Sequence, residues 1–287
     1  MSDNASDIIA DYIRLLRRPP TMPEVAAFSL SEALPERDEK RPCALLLSPH
    51  PDDECLTGAF ALRLRQELGW QVINVAVTLG SALNRRSGRS EELAKACTVL
   101  GFDCVLPQTD GFSNVTPQTR EENAVLWEQM ASRLSEIILH YQPQALFMPH
   151  AQDTSPTHIG THWLGMDALA KQPAGFVCTV VQTEYWHPIE TPNLLIGISE
   201  QDAAKLLGAV ACHAGEVARN PFDTRLPGYL IDNVRRGSEQ VGGMGAVAAS
   251  MDFAMLYKLG LWRNGKFIPS ALKRVVGAGA SIEELLA

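Results

Sequence analysis

Hydrophobic positions along this chain fall into short unbroken runs that alternate with stretches of helical period. Residues 5–17 set Ile8, Ile9, Tyr12, Ile13 and Leu16 on one helical face, and a proline- and charge-rich stretch follows to about residue 42. From Cys43 onward the pattern predicts strand 43–48, helix 54–68, strand 71–79, helix 89–100, a short strand near 104–106, helix 118–141 and strand 144–149. A second set continues with helix 158–170, strand 175–183, strand 194–198 and helix 199–218. After a segment loosened by Gly237, Gly242, Gly243 and Gly245, a further helix is expected at 246–259. The final stretch, about 25 residues, is expected to pack only weakly.

Alternating strands and helices of this kind build a parallel sheet covered on both faces. The expected class is therefore a Rossmann-like three-layer α/β sandwich with a mostly parallel sheet, plus an N-terminal helical appendage. In such folds the ligand site lies beyond the carboxyl ends of the strands, and polar clusters fall there at 48–54, 78–89 and 149–162. One pocket could gather all three. The first strand-to-helix turn lacks G-x-G-x-x-G, which disfavours a nicotinamide or flavin enzyme.

At 287 residues and 46% hydrophobic content, the chain is long enough for one large domain with appendages. Its net charge of −8 argues against a nucleic-acid partner and leaves small molecules as the expected ligands. Six cysteines are scattered without a C-x-x-C pair, several inside apolar runs, and read as structural, reduced thiols. The N-terminus lacks a secretory signal pattern, and no run approaches the ~18 apolar residues of a membrane span, so a soluble cytoplasmic protein is expected. Whether it forms a homo-oligomer is left open.

Chemistry concentrates in two segments. In "ALLLSPHPDDE" three carboxylates crowd against His50 directly after the first strand. Asp52, Asp53 and Glu54 would suit a helix N-terminus, where acids gain roughly 0.3–1 kcal/mol each. Capping does not explain the histidine, and a turn that brings His50 and Asp53 together offers ligands suited to Zn2+. On spacing alone both readings stand. In "MPHAQDTSPTHIGTHWLGMDAL" four ligand-type residues, His150, Asp153, His158 and His162, follow another strand, with His158 and His162 on one helical face. Outside these segments, Asp110 before Gly111 could hold sugar hydroxyls, and Tyr185, Trp186 and His187 could form a sugar platform at a further strand end.

The Ser48–Glu54 stretch resembles the [AS]-H-P-D-D-E motif of the PIG-L/LmbE-like zinc de-N-acetylases, with one extra proline. "VTLGSALNRRSGRSEELAKACTVLG" resembles that family's T-x-G…R-x-x-E-x-x-x-A-x-x-x-L-G segment, "SPTHIGTHWLGMDAL" its H-P-D-H helix start, and "KLLGAVACHAGEV" its K-x-x-A-x-x-x-H-x-S-Q segment. The likeness covers about residues 43–220. It implies a deacetylase domain at 43–260, with residues 1–42 an extension and 261–287 a tail. It also implies zinc ligands His50, Asp53 and His158, a general base at Asp52, and a substrate-gripping Arg89.

The chain departs from the family pattern at Ser155, where the family has a histidine, and at Gly215 and Glu216, where it has serine and glutamine. Ser155 cannot deliver a proton to a departing amine near neutral pH. His213 or His162 is expected to take that acid role. The activity implied is zinc-dependent removal of acetyl from an N-acetylated amino-sugar (GlcNAc-type) conjugate. The alternatives are an amidase acting on a larger N-acyl conjugate, or a catalytically impaired zinc- or ligand-binding module.

Overall fold

The structure, a computed structural model, describes residues 3–247 and 249–286. Its elements in chain order are α1 (Asp3–Leu16), β1 (Cys43–Ser48), α2 (Asp53–Leu56), α3 (Ala59–Glu67), β2 (Gln71–Ala76), α4 (Arg86–Leu100), β3 (Asp103–Val105), α5 (Pro117–Glu122), α6 (Ala124–Tyr141), β4 (Ala145–Pro149) and α7 (Pro156–Ala170). There follow β5 (Cys178–Thr183), β6 (Leu194–Ile198), α8 (Glu200–Ala211), α9 (Ala214–Val217), α10 (Phe222–Gln240), β7 (Phe253–Arg263), β8 (Lys266–Pro269) and β9 (Arg274–Val276).

Among the described residues a nine-stranded sheet runs β3-β2-β1-β4-β5-β7-β6-β9, with β8 paired to β7. Pairs from β3 to β5 are parallel, as the alternating pattern implies, whereas β7 runs antiparallel to β5, β6 and β8. Side chains on a strand alternate between faces, and β1 shows this directly. Ala44 and Leu46 pack with α2, α3, α4, α8 and α10, while Cys43, Leu45 and Leu47 pack with α6 and α7. These are the three layers. Strand β1 is followed in sequence by its neighbour β2, and β4 returns on its other side, so the strand order reverses there and leaves a crevice at the carboxyl ends of β1 and β4.

Several element boundaries differ from the expected ones, and each break has a local cause. Expected helix 54–68 divides at Thr57 and Gly58, the C-cap of α2 and the N-cap of α3, and glycine fits this break because a side chain at 58 would meet the Glu54 carbonyl oxygen at 2.1 Å. Helix 118–141 divides at Asn123, whose side chain accepts from Leu126 N and caps α6. Helix 199–218 divides at Cys212 and His213, which turns His213 inward.

Residues 222–240, for which the pattern gave no element, form α10 despite Pro227, because Phe222, Leu226, Leu230 and Val234 repeat every fourth residue and are buried. The helix expected at 246–259 is corrected to strand β7: its apolar run lacks a helical period, and both its edges find sheet partners. The tail expected from 261 is corrected too, since β7 runs through that position and β8 and β9 join the sheet. Buried Arg63 fastens this end by donating to the carbonyls of Gly197 (3.0 Å), Gly277 (3.1 Å) and Ala280 (2.7 Å).

The apolar face of α1 stays exposed, outside the layers. All six cysteines are buried and unpaired. Among the described residues no helix is long and apolar enough to cross a membrane.

Candidate active site

Beyond β1 the chain turns sharply through Pro49–Asp53. Asp52 adopts φ 122°, ψ −28°, a conformation that residues with a side chain seldom take, and one that clusters at functional sites. Three hydrogen bonds fix the turn. His50 N donates to Asp53 Oδ2 (2.9 Å), Asp52 N donates to Glu54 Oε2 (3.0 Å), and Thr78 Oγ1, beyond β2, donates to the Pro49 carbonyl (2.7 Å). The result lays His50 and Asp53 side by side.

Strand β4 and the start of α7 bring the third member. His158 Nε2 lies 3.5 Å from Asp53 Oδ2, as does His50 Nδ1, and ligand atoms of His50, Asp53 and His158 all fall within 4.8 Å of one another. Asp153 Oδ2 sits 3.3 Å from the opposite ring nitrogen, His158 Nδ1, an arrangement that orients a metal-binding imidazole. His158 Nε2 is buried and, among the described residues, has no hydrogen-bond partner. Leaving such an atom unsatisfied is costly, and a cation is the partner it fits.

The electrostatics agree. Burial pushes the Asp52 carboxyl well above the usual carboxylate range, and the Asp53 and Glu54 charges push it further, against Arg89. Burial acts the same way on Asp53, but the His158 and His50 rings outweigh it and hold that carboxyl below its ordinary value. Burial would lower His158, yet Asp53 and Asp153 raise it overall, so the cluster draws a positive charge to itself. Two imidazoles and a carboxylate are a ligand set that zinc accepts with a position to spare.

The cluster opens into a cavity of about 780 Å3 whose wall includes Asp52, Arg86, Arg89, Ser155, Trp186 and Glu216. Arg89, from α4, donates to the Pro51 carbonyl (3.1 Å) and lies 3.5 Å from Glu216 Oε2 and 3.9 Å from Asp52 Oδ2. Gly80 makes room for it, since a side chain there would meet Arg89 Nη1 at 2.2 Å. Glu216 also faces Arg85 (3.0 Å) and Arg219 (3.4 Å). Its burial would raise the carboxyl, but bonds from Asn220 and Arg85 and the arginine charges hold it below the usual range.

Of the residues singled out from sequence, the structure brings together His50, Asp52, Asp53, His158 and Arg89. It does not bring Asp110, His162 or His213 to this cavity. Asp110 is exposed and lines a separate surface hollow with Ser87 and Ser90. His162 is buried; its Nδ1 donates to the Pro149 carbonyl (2.9 Å), and burial depresses its pKa to about 4, which leaves a neutral ring and no imidazolium to act as an acid. His213 lies behind the wall, with Nε2 2.7 Å from Glu54 Oε1. The aromatic group separates: Trp186 faces the cavity, Tyr185 packs against Phe222 and Tyr229, and the His187 carbonyl accepts from His150 Nε2 (2.8 Å).

Sequence reasoning gave no role to Glu216, although its place in a family-like segment marked the position. Ser113 and Asn114 also line the cavity, from a loop with no motif to reveal them.

The chain is thus a mostly parallel α/β protein with a metal-binding type of cluster at the strand ends where the sheet order reverses. Residues 45–169 match the family model of PIG-L, GlcNAc-PI de-N-acetylase. Solved structures share the fold. The conserved protein TT1542 from Thermus thermophilus is 20% identical with a TM-score of 0.56, covering 75% of this chain and 92% of its own. N,N'-diacetylchitobiose deacetylase from Pyrococcus horikoshii is 14% identical with a TM-score of 0.56, covering 92% and 94%. GalB, the 4-carboxy-2-hydroxymuconate hydratase from Pseudomonas putida, is 17% identical with a TM-score of 0.59, covering 76% and 95%. Comparison with curated proteins finds no match.

Proposed function

We propose that the protein is a zinc-dependent hydrolase that removes the acetyl group from an N-acetylated amino-sugar conjugate. The observation that carries this reading is the His50–Asp53–His158 cluster, with its unpartnered buried His158 Nε2, set beside Asp52 in the cavity. A volume of about 780 Å3 suits a small conjugate. The family's namesake activity and the deacetylase named among the structural neighbours support the reaction type. The six unpaired cysteines support work in the reducing cytoplasm.

In this reading His50, Asp53 and His158 hold zinc, and Asp153 orients the His158 ring. Zinc bound there supplies Lewis acidity, which makes water more acidic and a carbonyl more electrophilic. Asp52 takes the proton from the attacking water as its oxygen bonds to the amide carbon. Once protonated, the same carboxyl returns that proton to the nitrogen as the C–N bond breaks, giving acetate and a free amine. Among the described residues lining the cavity, the other carboxylates are committed: Asp53 to the cluster and Glu216 to its arginines. Asp52 therefore serves as base and then acid, which removes the need for a histidine at Ser155. Arg89 grips substrate oxygens.

Ser155 in the cavity wall favours one rival, a zinc-binding module without turnover. Loading the protein with zinc and following a panel of N-acetylated amino sugars by mass spectrometry separates the two. Loss of one acetyl group supports the hydrolase, and tight zinc binding with no product from any member supports the rival.

A further inference from the structure

His213 stands behind the cavity wall, and its surroundings give it a task other than proton transfer. We infer that His213 and Glu54 form a buried clamp that holds the strained Asp52 backbone and thereby aims its carboxylate. The inference rests on the reading of Asp52 as the base.

Glu54 is completely buried, and its two oxygens face three donors. Oε1 accepts from His213 Nε2 (2.7 Å) and from Cys55 Sγ (3.1 Å), while Oε2 accepts from Asp52 N (3.0 Å). A carboxylate accepts at every lone pair, so the two Glu54 oxygens can take all three bonds at once. His213 Nδ1 is buried with no partner among the described residues. A proton on Nδ1 would be a buried N–H without an acceptor, so the ring carries its proton on Nε2 and donates it to Glu54. It donates a hydrogen bond to Glu54 and lies outside the cavity lining.

The far side of Glu54 bears on the strain. Its Oε2 holds the amide of Asp52, the residue with φ 122°. Such a conformation persists where the surroundings over-determine it, and this bond is one of those constraints. The chain break that supplies the clamp also supplies Glu216: the His213 carbonyl accepts from Glu216 N and Val217 N (both 2.9 Å). The short stretch 213–216, the break after α8 and the start of α9, therefore bears on the backbone of Asp52 through His213 and on Arg89, beside the Asp52 side chain, through Glu216. His213 is in this sense a positioning residue.

The test uses the full chain carrying His213→Leu, which removes the donor, or His213→Gln, which places an amide N–H near the same point. Each is made in the wild-type chain and in Asp52→Gly, where glycine takes the backbone conformation unaided. His213→Leu is expected to lower kcat for acetate release by about tenfold or more while KM stays within about twofold, and His213→Gln to recover most of that loss. Its loss of melting temperature should shrink by about half or more in Asp52→Gly, as coupled sites require. Equal melting losses in both backgrounds, or equal activity losses for Leu and Gln, overturn the clamp. If His213→Leu fails to fold, Glu54→Gln carries the same melting comparison with the same expected shrinkage. Absence of acetate release in the wild type would sink the deacetylase reading, and the melting comparison would still decide the clamp.

Discussion

Replacing Asp52 by glycine and, separately, by alanine isolates the backbone strain, because both variants lose the same carboxylate and its electrostatics cancel in the comparison. At an ordinary position alanine is the more stable by about 0.4–1 kcal/mol, since glycine has more freedom to lose on folding. At φ 122°, ψ −28° a residue with a Cβ is strained by about 1–3 kcal/mol, and glycine is not. At the middle of these ranges the difference favours glycine by about 1.3 kcal/mol, which reverses the usual order. Unfolding entropy for 287 residues comes to roughly 0.6 kcal/mol per kelvin, so Asp52→Gly should melt about 2–3 °C above Asp52→Ala. Thermal melts in the presence of a chelator give the answer free of metal stabilisation. An alanine variant as stable as the glycine variant, or more so, would refute the claim that the Asp52 backbone is strained.

Alanine at His50, Asp53 or His158 should each weaken zinc binding by tenfold or more, on the order of ~1.4 kcal/mol or above, read by calorimetric titration; unchanged affinity at any one removes it from the ligand set. Asp52→Asn should keep zinc yet lose about 10²–10⁴ in kcat, because an amide cannot take the proton; near-normal turnover would end its assignment as base. Arg89→Ala should raise KM by a factor equivalent to about 1.5–3 kcal/mol with zinc retained, and Gly80→Ala should move KM the same way by displacing the Arg89 guanidinium. His162 has a folded pKa depressed to about 4, so it favours the folded state above its unfolded value and loses that contribution as pH falls through the window down to about 4. Chemical denaturation of His162→Gln across that window should show a shallower acid decline than wild type, and an identical slope would discard the assignment.

Much of the fold was legible because β1, β4 and β6 are short, wholly buried apolar runs bounded by turn residues, which give the same reading from sequence and in three dimensions. The ligand cluster was legible for a similar reason: His50 and Asp53 sit in one turn, and His158 opens the helix after β4. What failed depended on distant partners. The run at 253–263 has no helical or strand period of its own, and β5 and β6 on its two edges decide its state. Spacing placed His162 on the face of His158, but the Pro149 carbonyl holds its ring away from the cavity. His213 sat in a family-like segment, yet nothing local could show that a helix break would turn it onto Glu54. Asp110 stood at a strand end, and the loop it lies on carries it to an outer hollow.

The most direct measurement is acetate release from a GlcNAc-type conjugate as a chelator-stripped protein is titrated with zinc, with Asp52→Asn run alongside. Release should climb with added zinc and level off at about one ion per chain, each acetate matched by one free amine, while Asp52→Asn binds the same zinc and releases almost none. Zinc bound to saturation without acetate, or release that the chelator does not abolish, would contradict the assignment.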